Sequence, residues 1–233
     1  MTEVIVALDV GSLEQERELL ERLRGTIGFF KIGLQLFTAH GRQAVELARR
    51  HGARVFLDLK LHDIPRTVAL AVRQAQNLGA ESVSLHLSGG AAMLRSAREV
   101  SPRPKLWGVT MLTSLTDADA KVFGAEARLK GIAESLARLG RREGVDATIC
   151  SPLEVEALRR ALGGGTFVTP GIRPAGAELA DQKRVMSPEQ AAALGVDFIV
   201  VGRPITQAPD PLRAAQDVLA AVKAGHSKAP GAP

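Results

Sequence analysis

Short apolar segments alternate with segments of helical periodicity along the whole chain. The apolar segments are strand candidates and cover residues 4–10, 29–33, 55–60, 82–87, 106–112, 146–150, 167–172 and 198–203. The helix candidates cover residues 13–23, 43–50, 67–78, 91–100, 129–142, 153–162, 188–194 and 212–224. A strand followed by a helix, eight times over, indicates parallel strands joined by crossover helices. In a chain of 233 residues this pattern favours a single-domain (β/α)8 (TIM) barrel of the α/β class over an open doubly wound sheet.

The pattern predicts one barrel domain over residues 1–224, because no linker interrupts the alternation. Residues 225–233 are rich in glycine, alanine and proline, and we expect them to form a disordered tail. The first residues carry no basic region before their apolar stretch, so a signal peptide is not expected. A lone cysteine, Cys150, excludes an internal disulfide and fits a reducing cytoplasm.

Polar side chains inside the strand candidates are informative, because parallel strands are covered on both faces and are otherwise apolar. Side chains at positions i and i+2 share a face, so Asp58 and Lys60 of the third strand point into the barrel together. The same alternation points Asp9 of the first strand and Lys31 of the second strand inward. All four lie near the carboxyl ends of their strands, where barrel enzymes build their active sites. We therefore expect three strands to bring these charges to one mouth of the barrel.

Composition and charge narrow the class of ligand. The formal net charge is +5, which suits nucleic acid, an acidic membrane surface or a small anion. Aromatic residues make up only 3% of the chain, tyrosine is absent, and the basic residues are scattered, which disfavours a nucleic-acid partner. No apolar run approaches the roughly 20 residues that span a bilayer, so no membrane span is predicted. A small anionic substrate fits best.

The clustered charges allow two interpretations, because charges at a barrel mouth are costly to desolvate unless each is paired. They form either a structural ring of ion pairs or a catalytic cluster in a cleft, and Asp63 joins them from the loop after the third strand. His86 shares an inward face with Ser84 and either lines the barrel or contacts a ligand. The histidines lack H-x-x-x-H spacing, and no G-x-G-x-x-G follows the first strand, so neither a metal nor a dinucleotide is expected.

Seven segments, in this order and spacing, resemble the bacterial type of the orotidine 5′-monophosphate decarboxylase family. They are ALDV, FKIGLQLF, FLDLKLHDIPRT, MLTS, VTPGIRP, ADQKRVMSPEQA and VGRPITQ, and the match runs from Val4 to about Leu212. The D-x-K-x-x-D element is shared with sugar-phosphate decarboxylases and hexulose-phosphate synthases, but VTPGIRP and VGRPIT narrow the choice to the nucleotide enzyme. The resemblance implies a cytoplasmic, homodimeric lyase that needs no cofactor. It would convert orotidine 5′-monophosphate (OMP) to uridine 5′-monophosphate (UMP) in de novo pyrimidine biosynthesis.

The resemblance implies a role for each charged residue of the cluster. Lys60 is expected to deliver a proton to pyrimidine C6 as CO2 leaves, and Asp58 to lie beside the substrate carboxylate. Lys31 is expected to bridge the ribose hydroxyl groups and Asp58, and Asp9 to bind ribose. In the family, the residues matching Asp63 and Thr67 are supplied across a dimer interface to the partner's site.

The remaining implied contacts surround the pyrimidine and the phosphate. Thr113 and Ser114 are expected to meet the pyrimidine edge, although a plain turn after the fifth strand explains them equally well. Gly202 and Arg203 end the eighth strand candidate, at the side where barrels commonly bind phosphate, and an arginine can hold it with two parallel hydrogen bonds. The alternative there is a strand-ending turn with a solvated arginine. Arg173 and Gln182 are similar in position to the lid that covers the phosphate in the family.

Three other functions share parts of this pattern. A metal-assisted sugar-phosphate decarboxylase or synthase would use Asp58 and Asp63 near Mg²⁺. A class I aldolase would form a Schiff base at Lys60 or Lys31, but carboxylates beside both lysines favour charged amines. A non-catalytic phospho-ligand-binding barrel would have no need of a lysine beside Asp58.

Overall fold

The computed structural model describes residues 1–124, 126, 128–174 and 185–228. Within these residues, eight parallel strands close into a barrel in chain order. The strands are β1 (Glu3–Ala7), β2 (Phe29–Gly33), β3 (Arg54–Leu61), β4 (Ser82–His86), β5 (Lys105–Val109), β6 (Ala147–Ile149), β7 (Phe167–Thr169) and β8 (Phe198–Val201). Strand β8 pairs back onto β1, with Glu3 opposite Phe198, and this pairing closes the barrel. The predicted (β/α)8 barrel is confirmed.

Helices cover the outside of the barrel and occupy some of its loops. They are α1 (Leu13–Arg22), α2 (Leu34–His40), α3 (Arg42–Arg50), α4 (Pro65–Asn77), α5 (Gly90–Arg98), α6 (Asp117–Ala120), α7 (Leu129–Arg142), α8 (Val155–Leu162), α9 (Pro188–Ala193), α10 (Arg203–Thr206) and α11 (Pro211–His226). The helix candidates from the sequence miss α2, α6 and α10, which have seven, four and four residues. The side chains of Ser12, Ser187 and Asp210 cap the first turns of α1, α9 and α11.

Four strands end two or three residues earlier than predicted. Strands β1, β5, β7 and β8 leave the ladder at Ala7, Val109, Thr169 and Val201. The residues that follow them turn over the barrel mouth and line its cavity instead of extending the sheet. Asp9 therefore lies just beyond β1 rather than inside it.

Aromatic side chains fill the barrel at the level of its strand starts. The Trp107 ring centroid lies 4.4 Å from that of Phe56, 5.9 Å from that of Phe29 and 5.1 Å from that of Phe198. Phe29 and Phe198 are the first residues of β2 and β8, so this cluster plugs the amino-terminal half of the interior. The polar groups of the interior are consequently left at the carboxyl-terminal mouth.

Strand β3 carries a bulge at the residues that matter most for the site. Leu57 pairs with Val83 and Leu61 pairs with Leu85. Between these two pairs β3 advances by four residues while β4 advances by two. Lys60 lies inside this bulge with φ of +51°, and it is the one non-glycine residue of positive φ among those described. Such a conformation costs about 1–3 kcal/mol and is held only where the surroundings impose it. The bulge keeps Lys60 on the same inward side as Asp58.

The last helix extends into the segment that the sequence assigned to the tail. Helix α11 includes Gly225 and His226 before the chain turns at Ser227. Gly225 packs so closely on α9 that a Cβ atom there would lie 2.2 Å from the carbonyl oxygen of Glu189. His226 Nε2 accepts a hydrogen bond of 2.9 Å from the backbone N–H of Thr2. These contacts explain why the helix continues beyond the predicted boundary at residue 224. Residues 229–233 lie outside the described part of the chain.

None of the helices in the described ranges combines the length and the hydropathy that a bilayer span requires.

Candidate active site

Charged side chains from the ends of β1, β2 and β3 form a continuous chain of ion pairs at the barrel mouth. The Lys31 Nζ atom lies 2.9 Å from Asp9 Oδ1 and 3.6 Å from Asp58 Oδ2. The Lys60 Nζ atom lies 2.9 Å from the same Asp58 oxygen. Carboxylates and ammonium groups therefore alternate in the order Asp9, Lys31, Asp58, Lys60.

Burial and charge act in opposite directions on Asp58. Burial favours the neutral acid, but the positive charges of Lys31 and Lys60, with hydrogen bonds from Lys60 and Ser84, outweigh it. The pKa of Asp58 consequently lies below its ordinary value, and the carboxylate stays ionised near neutral pH. The site thus holds an anion between two ammonium groups with little access to water.

The ion-pair chain forms one wall of a cavity of about 500 Å³, a volume typical of small-molecule sites. Apolar side chains from the strands on the far side form its floor, and these are Val109, Ile149, Val168 and Val200. Thr113 and Ser114 line the cavity from the loop after β5. An apolar floor beneath charged groups is suited to a flat heterocycle carrying a few polar atoms.

Two arginines enter the same cavity after the last two strands of the barrel, β7 and β8. Arg173 follows β7, and Arg203 is the first residue of α10, directly after Gly202 and β8. This is the position at which TIM barrels commonly bind phosphate. One cavity therefore combines a guanidinium side with an ammonium–carboxylate side.

Comparisons with known proteins give the family. The sequence model described as "Orotidine 5'-phosphate decarboxylase / HUMPS family" matches residues 2–218. An orotidine 5′-phosphate decarboxylase of Trichlorobacter lovleyi is 42% identical over 95% of this chain and 95% of its own length. Another, of Syntrophotalea carbinolica, is 44% identical over 93% of each chain. This chain belongs to the orotidine 5′-phosphate decarboxylase / HUMPS family.

A solved structure agrees with this assignment. The crystal structure of orotidine 5′-phosphate decarboxylase from Lactobacillus acidophilus superposes with a TM-score of 0.81 at 35% sequence identity. The match covers 94% of this chain and 98% of that one. The barrel of this family member is therefore shared over nearly its whole length.

Most of the residues expected from the sequence meet in the cavity. Those that line it are Asp9, Lys31, Asp58, Lys60, Thr113, Ser114, Arg173, Gly202 and Arg203. Asp63 and Thr67 do not line the cavity of their own chain: both are exposed, and Asp63 Oδ1 accepts a hydrogen bond of 2.6 Å from the N–H of Ile64. Gln182 lies outside the described residues.

Three polar residues near the site were not predicted from the sequence. Gln35 and Gln207 line the cavity from α2 and from the end of α10. Both fall inside segments that resemble the family, and that is the signal that points to them. Ser84 contacts Asp58 and Lys60, but this contact depends on the bulge in β3, which leaves no mark in the sequence.

The rings of His62 and His86 lie next to each other beside the cluster, with centroids 5.3 Å apart and planes tilted by 43°. Burial lowers the pKa of His86, the neighbouring His62 and Lys60 lower it further, and Asp58 opposes them. His86 is therefore neutral near pH 7, and it is not among the residues that line the cavity. Across the ranges that the structure covers, no group of three or more His, Cys, Asp or Glu side chains is arranged to hold a metal ion.

Proposed function

We propose that this chain converts OMP to UMP and CO2 at the mouth of its barrel, in pyrimidine biosynthesis. The observation that carries the proposal is the alternating chain Asp9, Lys31, Asp58, Lys60 on the wall of a cavity that also receives Arg203. The family assignment and the relatives named as orotidine 5′-phosphate decarboxylases support the same reaction.

The reaction breaks the bond between C6 and the carboxylate carbon and leaves the electron pair on C6. The pair lies in the plane of the ring and is not delocalised, so fixed charges of the protein must stabilise it. The ammonium group of Lys60 faces the developing charge and then transfers a proton to C6, which completes UMP. Lys60 is left neutral and regains a proton from water when the product leaves.

Asp58 acts on the other side of the same bond. An ionised carboxylate held between Lys31 and Lys60 repels the substrate carboxylate, and the repulsion ends when neutral CO2 departs. A pair of unit charges 4 Å apart contributes about 4 kcal/mol at an effective dielectric constant near 20. Because the hardest biological reactions need about 20 kcal/mol or more of barrier reduction, the ion-pair chain supplies only part of it.

Binding of the phosphate supplies a further part. Arg203 and Arg173 are assigned to the phosphate, as is Gln182 by its match to the family, and Gly202 gives the backbone room to approach it. Contacts to this remote, unreacting group stabilise a closed, water-poor site around the base.

The remaining contacts orient the nucleoside. Thr113 and Ser114 are assigned to the pyrimidine edge, and Asp9 and Lys31 to the ribose hydroxyl groups. Since the Lys31 ammonium group contacts both Asp9 and Asp58, a shift of the ribose would also change the position of the Asp58 carboxylate.

A homodimer completes the site by supplying Asp63 and Thr67 to the partner. Both residues are exposed and lie outside their own cavity, which supports a role in another subunit. Large apolar side chains close to them in the chain are also exposed: Ile64 is 68% and Leu70 is 52% exposed. An apolar patch next to a half-built site is typical of an interface. We place the enzyme in the cytoplasm, which suits the free, buried thiol of Cys150.

Replacing Lys60 tests the proposal. Lys60→Ala is expected to fold, to bind UMP, and to lose OMP turnover by about 10⁴-fold or more, since one group supplies both the charge and the proton. Turnover is followed by the change in OMP absorbance, and UMP affinity by calorimetry. Lys223→Ala, on the exposed face of α11, is the matched control and keeps parent activity. Substantial turnover in Lys60→Ala would remove the assigned role.

The same assay in excess chelator separates this function from the metal-assisted reactions that share the D-x-K-x-x-D element. The parent enzyme is expected to keep full activity toward OMP. Absence of OMP turnover, together with turnover of a sugar phosphate that chelator abolishes and added Mg²⁺ restores, would favour the metal-assisted reaction instead.

A further inference from the structure

The hydroxyl group of Ser84 joins the two residues assigned to the chemistry. Ser84 is the third residue of β4 and is fully buried. Its Oγ–H donates a hydrogen bond of 2.7 Å to Asp58 Oδ1. The same oxygen accepts a hydrogen bond of 2.8 Å from the backbone N–H of Lys60. One hydroxyl therefore satisfies a carboxylate and a backbone amide that lie two residues apart on the neighbouring strand.

The backbone contact compensates for the bulge in β3. The register between β3 and β4 shifts between Leu57 and Leu61, so the intervening residues are out of step with the ladder. Lys60 also adopts φ of +51°, a conformation that L-residues rarely keep without support. The Ser84 oxygen provides this support by accepting the Lys60 N–H.

The side-chain contact fixes the orientation of Asp58. Asp58 Oδ2 forms ion pairs with both ammonium groups, with Lys60 Nζ at 2.9 Å and Lys31 Nζ at 3.6 Å. Asp58 Oδ1 accepts the hydrogen bond from the Ser84 hydroxyl group. With one oxygen tied to β4, the carboxylate cannot rotate to present its other oxygen to the lysines without losing a hydrogen bond.

We propose that Ser84 is a positioning residue of the decarboxylation, because its hydroxyl group holds the Asp58 carboxylate and the Lys60 backbone in one hydrogen-bonded unit. The inference rests on the roles proposed above for Asp58 and Lys60. Ser84 itself is not among the residues that line the cavity, so it acts through these two neighbours rather than on the nucleotide.

A second serine on the same strand shows that burial alone does not require this contact. Ser82 precedes Ser84 by two residues, points to the same side of β4 and is equally buried. Among the described residues, the Ser82 hydroxyl group has no hydrogen-bond partner. The two serines therefore form a natural pair for comparison, one that supports the site and one that does not.

Ser84→Ala is the direct test. Loss of the hydroxyl group frees the Asp58 carboxylate and removes the partner of the Lys60 N–H, and kcat is expected to fall by about 10²-fold because the reacting groups lose their alignment. The dissociation constant of UMP is expected to stay within about threefold of the parent value, because no residue that lines the cavity is replaced. Ser82→Ala is the matched control and keeps the parent kcat.

Ser84→Cys keeps the inference testable if Ser84→Ala does not fold. A thiol fills nearly the same space but is a weak donor and acceptor, so the folded variant is expected to lose kcat while it binds UMP normally. A parent-like kcat in either folded variant, or an equal loss in Ser82→Ala, would overturn the positioning role.

The Lys60→Ala variant distinguishes failure of the positioning role of Ser84 from failure of the proposed decarboxylation. If Lys60→Ala is inactive and Ser84→Ala is parent-like, only the inference about Ser84 fails. If Lys60→Ala keeps its turnover, the proposed chemistry itself fails, whatever Ser84→Ala does.

Discussion

Gly33 is the residue whose side chain, if it had one, would collide with the ion-pair chain. A Cβ atom there would lie 2.7 Å from Lys31 Nζ and 2.9 Å from Asp9 Oδ1. Gly33→Ala is therefore expected to displace these groups and to lower kcat/KM for OMP by about tenfold or more. Its φ of −97° suits alanine, so the Tm should change little.

The control for this prediction is Gly28→Ala, just before β2. A Cβ atom at Gly28 would meet no atom within 4 Å, so this variant should match the parent in both kcat/KM and Tm. Equal kinetics for Gly33→Ala and the parent would show that Lys31 and Asp9 accommodate the methyl group without cost.

Single residues also show how much of the site can be predicted from the sequence. Strand alternation brings Asp58, Lys60 and Lys31 to one mouth because a charge in an otherwise apolar parallel strand must face the interior. The φ of Lys60 and its contact with Ser84 were not predicted, because both arise from pairing between β3 and β4 rather than from either strand alone. The alternation of residues within a strand identifies the charged groups of the site, and the register between neighbouring strands sets their geometry.

At the scale of one element, α1 buries an acid that the site does not use. Glu16 is fully buried on this helix, and within the described chain neither of its carboxyl oxygens has a hydrogen-bond partner. Burial raises the pKa of Glu16 from its ordinary value of 4.5 to about 8. The folded protein therefore retains a proton on Glu16 near neutral pH that the unfolded chain releases.

This difference predicts a stability that falls as the pH rises. Between about pH 4.5 and about pH 8 the folded state binds one more proton at Glu16 than the unfolded state. The free energy of unfolding should decrease by about 1.4 kcal/mol for each pH unit in this window and level off above it. Glu16→Gln carries no titrating group, so its stability relative to the parent should increase with pH across the window.

Denaturant unfolding at several pH values measures this effect, and Glu14→Gln is the control. Glu14 lies on the exposed side of the same helix, so its replacement should change the free energy of unfolding little. A constant difference between Glu16→Gln and the parent at all pH values would mean that Glu16 is ionised in the folded state.

The helices and strands differ in how well the sequence predicts them. Helices such as α7, whose predicted and observed bounds coincide, carry enough turns to show an apolar stripe. Helices α2 and α10 are too short for that, yet they bring Gln35 and Arg203 to the cavity. The hydrophobic pattern thus predicts the strands that carry the ion pairs and misses these two short helices that add to the cavity.

At the scale of the whole molecule, the barrel separates a packed end from a reactive end. The cluster around Trp107 fills the interior at the level of the strand starts, whereas the charges gather at the strand ends. Eight repeats of strand and helix predict this architecture, because each strand has one face toward the axis and one toward the helices. Asp63 and Thr67 are exposed and do not line the cavity of their own chain, and the proposed dimer assigns them to the partner's site.

A mixture of two inactive variants tests the proposed sharing of sites. Lys60→Ala removes a residue from a chain's own site, and Asp63→Ala is expected to remove one from the partner's site. In a two-fold dimer of one chain of each kind, one site lacks both residues and the other is intact. Random exchange should therefore restore activity at about one quarter of all sites, measured as OMP turnover after the two inactive proteins are mixed.

The pairing of Lys60→Ala with Asp58→Ala is the matched control for this experiment. The Asp58 and Lys60 side chains lie 2.9 Å apart within one chain, so every hybrid dimer of these variants keeps one defect in each site. That mixture should stay inactive although the same exchange takes place, and differently tagged chains recovered together would verify the exchange. Recovery in neither mixture despite proven exchange would assign Asp63 to its own subunit, and recovery in both would show that the regained activity does not come from shared sites.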